Sequence, residues 1–172
     1  MGENILKLRA LEPEDIDMIY KWENDPKIWE HSSVHQMFSR YQLTQYIMSS
    51  ISGDFFTEKQ LRLVAEVENE AVGCIDLFNY DPFQHRAELG LLVDERHRRK
   101  GYGRAMIEAL INYARIHLQL HQIYCVVPSA NRPSMGLFRN MNFTIAGQLR
   151  DWVYDPDKKI FNEATIMQKV IE

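Results

Sequence analysis

Cysteine is scarce in this 172-residue chain, with Cys74 and Cys125 the only two. Neither sits in a Cys-x-x-Cys or Cys/His spacing that would mark a metal site or a redox pair. Both lie inside apolar segments, so they read as buried free thiols in a reducing cytoplasm. Long apolar runs are missing too: the longest is about five residues, far short of the ~20 that a membrane span requires. Met1 to Ala10 mixes Glu3, Lys7 and Arg9 with its apolar residues, unlike a secretory signal. There is no large charge excess, since 20 basic residues against 24 acidic ones give a net charge of -4. A nucleic-acid binder needs a broadly basic face to neutralise phosphates, so that class is disfavoured. With only 8 Gly and 6 Pro there is no linker, low-complexity tract or repeat. The expectation is one cytoplasmic domain, residues 1–172, long enough to bury a core without disulfides or a metal.

Periodicity supplies the elements. Ile5 to Ala10 alternates like a half-buried strand. A helix opens at Pro13, with Glu14 and Asp15 in its first turn, and ends at Asn24-Asp25-Pro26. A second runs from Ser39, a favourable N-cap, to Gly53. Leu61–Val67 and Ala71–Phe78 read as strands joined by a tight polar turn at Glu68-Asn69-Glu70. Ala87–Val93 is a further strand. After it, Ile107, Leu110, Ile111, Ala114 and Leu118 mark one buried face of a helix. Ile123–Val127 is a short strand, Asn131–Met141 a helix, and two more strands involve Phe143 and Phe161–Val170. Antiparallel strands followed by a β-α-β-α-β half indicate an α+β (mixed α/β) fold.

The basic segment Arg98-Arg99-Lys100-Gly101-Tyr102-Gly103 lies between a strand and a helix start. Glycines let several N–H groups converge, and the helix end adds partial positive charge, so the segment suits a phosphate as well as an ordinary turn. It is not a P-loop, because G-x-x-x-x-G-K-[ST] is absent. Nor is it the dinucleotide fingerprint, because Met106 stands where the third glycine would be.

Here the chain resembles the GNAT family of N-acetyltransferases. Arg98-x-x-Gly101-x-Gly103 matches that family's [Q/R]-x-x-G-x-[G/A] acetyl-CoA motif in letters and in its place between strand and helix. Asn131-Arg132-Pro133-Ser134 and Leu137-Phe138-Arg139-Asn140-Met141-Asn142-Phe143 resemble its N-x-x-S-x-x-h-h-x-[K/R]-x-G-F segment, with Asn142 where the family usually has Gly. The stretch HRAELGLLVDERHRRKGYG is similar to spermidine acetyltransferases and ribosomal-protein N-terminal acetyltransferases. The resemblance spans nearly the whole chain and implies a mostly antiparallel twisted sheet, a fourth strand splayed from the fifth, and helices on both faces. It implies acetyl-CoA as acetyl donor and a small-molecule amine or a peptide N-terminus as acceptor. A homo-oligomer is compatible with it.

The same resemblance assigns roles. Backbone groups of Leu91, Leu92 and Val93 would bond the pantetheine arm. Arg98, Arg99, Lys100, Gly101, Tyr102, Gly103 and Arg104 would surround the pyrophosphate. Asn131, Ser134, Phe138 and Arg139 complete the cofactor side. An alkyl ammonium must lose a proton before it attacks. Glu88, in the strand beside the thioester site, is the first candidate for that base, and as a strand acid it also reads as a solvated side chain. Asp76 and Glu30, with Glu88, would bind the acceptor cation, and Asp81 is a further acid of that cleft. Many relatives carry a Tyr at position 138 as the acid for the departing thiolate. Phe138 cannot donate a proton, which leaves Ser134 for the catalytic or thiolate-stabilising role and Tyr124 in reserve. Ile28–Tyr41, Trp152 and Tyr154 would wall the acceptor side. His31 and His35 lack the Glu of H-E-x-x-H, so no metal is expected. The rivals are a non-catalytic acyl-CoA sensor and a phosphate-binding regulator of nucleic acid.

Overall fold

The computed structural model describes residues 6–29 and 36–171. The chain groups into two compact units. The first takes the N-terminal strand, 53–125 and the last few residues; the second takes 12–52 and 126–168.

In the first unit, β1 (Lys7–Ala10), β2 (Leu61–Val67), β3 (Glu70–Asp81) and β4 (Arg86–Val93) pair antiparallel, each with the next. The β2–β3 turn has positive φ at Glu68 and Asn69, 52° and 64°. Two left-handed residues match the twist of a two-residue hairpin, so the polar turn forms without the usual glycine. β4 also pairs in parallel with β5 (Gln122–Pro128), through Arg86↔Gln122, Ala87↔Ile123 and Glu88↔Tyr124. Of the helices, α5 (Tyr102–His117) packs on β1, β3 and β4. It buries Met106, Ile107, Leu110 and Ala114, a stripe at the 3.6-residue period. Met106 replaces Ile111 of the expected face, and Leu118, just past the helix end, is buried as expected. Each such aliphatic side chain contributes about 1.5–3 kcal/mol on burial, and with Ile75, Leu77, Leu89 and Ile123 they form this unit's core.

The second unit holds α1 (Ile16–Glu23), α2 (Pro26–Trp29), α3 (Arg40–Ser52), α6 (Arg132–Asn140) and the antiparallel pair β6 (Thr144–Asp155) and β7 (Ile160–Val170, whose last residues fall in the first unit). Ser39 and Gln42 cap α3 reciprocally: Gln42 Oε1 accepts from Ser39 N, and Ser39 Oγ accepts from Gln42 N. That arrangement makes Ser39 the start that its residue type indicated. Pro26 does follow α1, but it also opens α2, since its missing N–H costs nothing in a first turn. Another four-residue helix, α4 (Phe55–Glu58, first unit), starts where Asp54 accepts from Phe56 N and Thr57 N. Both α2 and α4 are too short for a periodic signal. The chain is thus mixed α/β, mostly antiparallel with one parallel strand pair. Among the described residues no helix is long and apolar enough to cross a membrane.

Candidate active site

β4 is the frame of the site. On the β3 side it is paired from Arg86 to Val93, but on the β5 side the pairing stops at Glu88↔Tyr124. From Leu89 to Val93 the strand has no β5 partner, so backbone groups on that side are left for another ligand. Close approach of β3 fixes the far end of this stretch. A Cβ on Gly73 would lie 2.2 Å from the Leu92 carbonyl oxygen, a distance that only glycine tolerates.

Glu88 stands at the last paired position, half-buried. Strand pairing puts Phe78, Glu88 and Tyr124 side by side on one face, with Asp76 and Gly90 in the next row. A bulge in β3 between Phe78 and Asp81 turns Asn79 into the left-handed region, φ 51°. From there Asn79 Nδ2 donates to Glu88 Oε2 at 2.9 Å. Tyr124 stands directly opposite Glu88 in the parallel pair. Burial, and then the Glu88 charge, hold the Tyr124 phenol above its usual pKa, so it remains a donor. Burial pushes the neighbouring Cys125 thiol up to about 12, with Glu88 adding to the effect, so this cysteine is an inert buried thiol.

The other expected acids are differently placed. Asp76 accepts two bonds from Arg62, Nε to Oδ1 at 2.7 Å and Nη2 to Oδ2 at 3.0 Å. An incoming ammonium would have to compete with this bidentate guanidinium. Asp81 caps the turn to β4 by accepting from Phe83 N and Gln84 N, and it pairs with Arg86. Glu30 lies outside the described residues, as do His31 and His35.

Beyond β4, buried Asp94 accepts from Arg96 N and orders a 3-10 turn over Glu95–His97. His97 Nε2 meets Glu70 Oε1 at 3.2 Å, which ties the turn to the start of β3. Arg98 reaches back and donates Nε–H to the Val93 carbonyl at 3.1 Å, closing the end of the strand. Arg99 and Gly101 both have positive φ, 61° and 85°. Gly101 is the N-cap of α5, and no side chain caps that helix. Nothing lies within 4 Å of a Cβ placed on Gly101. Arg99 and Lys100 are exposed and make no ion pair among the described residues, whereas Arg104 pairs with Glu108. Free first-turn amides, the positive helix end and two unpaired cations are what a pyrophosphate needs, so these residues fit acetyl-CoA.

In the second unit Asn131 caps α6, its Oδ1 accepting from Ser134 N at 3.2 Å. One acceptor site of the Asn131 oxygen is thereby filled, and its amide N–H groups remain for a ligand. Ser134 is half-buried and Arg139 exposed. Phe138 is 5% exposed, its ring edge-on to Phe143 with centroids 5.1 Å apart. Its part is therefore core packing. Asn142 adopts φ 62°, a conformation that Asn tolerates better than other non-glycine residues, so it fills the glycine position at the helix end. Trp152 is 59% exposed beside a bulge in β6, and Tyr154 stacks obliquely on Phe161. Sequence reasoning missed Asn79 entirely. An Asn between Phe78 and Tyr80, just past the apolar run, was the available signal of a bulge.

Comparison with known proteins agrees with this geometry. A family model described as an acetyltransferase (GNAT) domain matches residues 6–144. The chain is 30% identical over 154 residues to the SPbeta prophage-derived uncharacterized N-acetyltransferase YokL of Bacillus subtilis, covering 89% of this chain and 83% of that protein. It is 22% identical over 144 residues to spermidine N(1)-acetyltransferase of Escherichia coli K12, covering 84% and 75%. Spermidine N-acetyltransferase from Vibrio cholerae, crystallised with CoA and spermine, superposes with a TM-score of 0.89 at 22% identity, over 98% of this chain and 97% of that one. A dodecameric structure of the Vibrio cholerae enzyme gives 0.78 at 21% identity, over 98% and 95%. By its matched length, its strand pairing and its basic glycine-bearing loop, the chain belongs to the GNAT acetyltransferases, enzymes that transfer the acetyl group of acetyl-CoA.

Proposed function

We propose that this enzyme acetylates a small polyamine or diamine, with Glu88 as the proton acceptor. One observation carries the reading. Among Asp76, Asp81 and Glu88, only Glu88 is held by a neutral side-chain donor, Asn79, instead of a guanidinium, and it stands where β4 leaves β5. A half-buried carboxylate with no cation paired to it among the described residues attracts an ammonium and then takes its proton. The spermidine acetyltransferases among its relatives support an amine of this type.

Acetyl-CoA supplies an activated acyl carbon, whose bond to sulfur breaks as the bond to the amine nitrogen forms. The chain's own residues do the rest. Glu88 accepts one proton from the substrate ammonium and frees the nitrogen lone pair. Backbone groups of Leu91, Leu92 and Val93 hold the pantetheine arm, and an N–H among them bonds the oxygen that gains negative charge. The amides from Arg99 to Arg104, with the Arg99 and Lys100 side chains, bind the pyrophosphate. Asn131 uses its remaining N–H groups on the pantetheine amide. Ser134 supplies a hydroxyl to the departing thiolate, which, with an ordinary thiol pKa near 8.5, leaves without full protonation and then takes up the second proton that the nitrogen loses. Self-association of the kind seen in the Vibrio cholerae enzyme is part of the same reading.

The test is a competition. Spermidine, an alkyl monoamine and a set of N-terminal peptides react together with acetyl-CoA, and products are read by mass spectrometry while released thiol is counted. Spermidine is expected to dominate, with kcat/KM roughly ten- to a hundredfold above the monoamine, the value of one additional charge-assisted contact. Dominance of a peptide product would overturn the polyamine assignment. Binding of acetyl-CoA with no thiol release for any amine would make the protein a sensor. Glu88→Gln is expected to lower turnover by roughly a hundred- to ten-thousandfold, with the loss shrinking at high pH, where the amine is already free.

A further inference from the structure

One aromatic ring stands in the polar, half-buried face of the sheet that carries Glu88. Strand register lays that face out in two rows. Arg62, Asp76 and Gly90 lie side by side in one, and Phe78, Glu88 and Tyr124 in the next. All six are half-buried. The opposite face of the same strands, with Ile75, Leu77, Ala87, Leu89 and Ile123, is buried core. Phe78 is therefore a phenylalanine on the solvent side of its strand, where alternation calls for a polar residue.

A missing side chain fixes where its ring sits. A Cβ on Gly90 would lie 3.2 Å from Phe78 Cε1 and 3.5 Å from Asp76 Oδ2. The ring thus leans from the Glu88 row over the bare backbone of Gly90 and ends beside the Asp76 carboxylate, which Arg62 neutralises. Tyr80, two residues along β3, stacks with Phe55 and Phe56. The Phe78 ring stacks on no other ring among the described residues. Residues directly opposite in an antiparallel pair have Cβ atoms about 4.5–5.5 Å apart, so a cation bonded to the Glu88 carboxylate lies within reach of the Phe78 ring. The negative face of an aromatic ring attracts a cation within about 6 Å, and its carbon surface takes methylenes.

We propose that Phe78, seated on Gly90, is a specificity-determining residue for acetyl transfer: its ring takes the acceptor's ammonium group and adjoining methylenes beside Glu88, so that the site prefers a cationic alkyl chain. The inference rests on the reading of this face as the acceptor side, with Glu88 as the base. The two residues divide the work by their chemistry. Glu88 accepts a proton, which every ammonium acceptor carries. Phe78 accepts none and discriminates by charge and apolar surface.

The experiment uses N,N,N-trimethylbutylammonium as an inhibitor competing with spermidine in the full-length enzyme. This probe has a cation and an alkyl chain but no N–H proton, so its Ki reads the ring without the base. Phe78→Leu removes the ring and keeps an apolar side chain, Phe78→Met is a second aliphatic variant, and Phe78→Tyr keeps a ring. Loss of the cation–ring contact is expected to raise Ki roughly three- to thirtyfold in the two aliphatic variants, with Phe78→Tyr within about twofold of the parent. The KM for spermidine is expected to rise in parallel, and the KM for acetyl-CoA to stay at the parent value. Gly90→Ala must push the ring aside, so it is expected to raise Ki roughly two- to fivefold in the parent and to have no effect once Phe78→Leu has removed the ring. Equal Ki in the parent and both aliphatic variants, or a probe that does not compete in the parent, would overturn the role of Phe78. Equal effects of Gly90→Ala in both backgrounds would overturn the seating of the ring. The base assignment is judged separately: undiminished turnover in Glu88→Gln would remove Glu88 as the base and leave the Ki of the probe to report on the ring.

Discussion

Two helix starts in this chain solve the same problem in opposite ways. Every α-helix begins with N–H groups that have no partner inside the helix. At α6, Asn131 satisfies the Ser134 N–H with its own side chain, and Pro133 in the first turn has no N–H to satisfy. At α5 no side chain caps the helix, the N-cap is Gly101 at φ 85°, and exposed Arg99 and Lys100 flank it. The first start is complete within the protein. The second leaves its first-turn N–H groups without a side-chain cap, at the positive end of the helix. Both blocks carry family motifs, yet only one leaves its first-turn donors uncapped.

The largest test of this contrast is Gly101→Val. A β-branched residue at φ 85° is strained and would put side-chain bulk where the loop, as proposed, receives the pyrophosphate. At acetyl-CoA a hundredfold above Kd, the parent gains about 2.7 kcal/mol, roughly 5–10 °C in Tm for a chain of this size. The variant is expected to lose that shift, read by thermal unfolding with and without ligand. Equal shifts in parent and variant would break the assignment of the loop.

Asn131→Ala has a smaller effect of a different kind. Removing a cap costs about 1 kcal/mol of stability, visible in urea unfolding without any ligand. Asn131→Ser restores a capping oxygen but no amide donor. It is therefore expected to recover the stability and to retain any defect in acetyl-CoA affinity. If both variants bind acetyl-CoA as the parent does, Asn131 is a cap and nothing more.

Lys100→Ala is the smallest of the three. An exposed cation meeting a phosphate at the surface contributes a few tenths to about 1 kcal/mol, and salt screens it. The expected loss of acetyl-CoA affinity is two- to fivefold at low ionic strength and vanishes near 1 M salt. A loss that salt leaves unchanged would mean that Lys100 acts through the shape of the loop.

Much of this architecture was legible in the residue pattern. The stripe of α5, the Ser39 start of α3 and the alternation in β2 and β3 are local signals, set by side chains three, four or two positions apart. The basic, glycine-bearing loop before α5 was legible for the same reason, being six consecutive residues. Less local features were not. The four-residue helices α2 and α4 have no period to read. β3 continues through Asn79 to Asp81, where the apolar pattern has already ended, because the bulge shifts the register.

The sequence by itself determined which residues are acidic, which loop is basic and glycine-bearing, and that Phe138 carries no proton. Tertiary pairing decided which of those acids is available. Asp76 and Glu88 are both strand acids, and nothing in their neighbours along the chain separates them. Arg62 comes to Asp76 from fourteen residues earlier, through the β2–β3 register. Asn79 comes to Glu88 across the β3 bulge, and Tyr124 comes from thirty-six residues later, through the parallel pair. A carboxylate's chemistry depends on whether its nearest partner is a cation or a neutral donor, and that partner is chosen by strand register, which is set only when the sheet has formed.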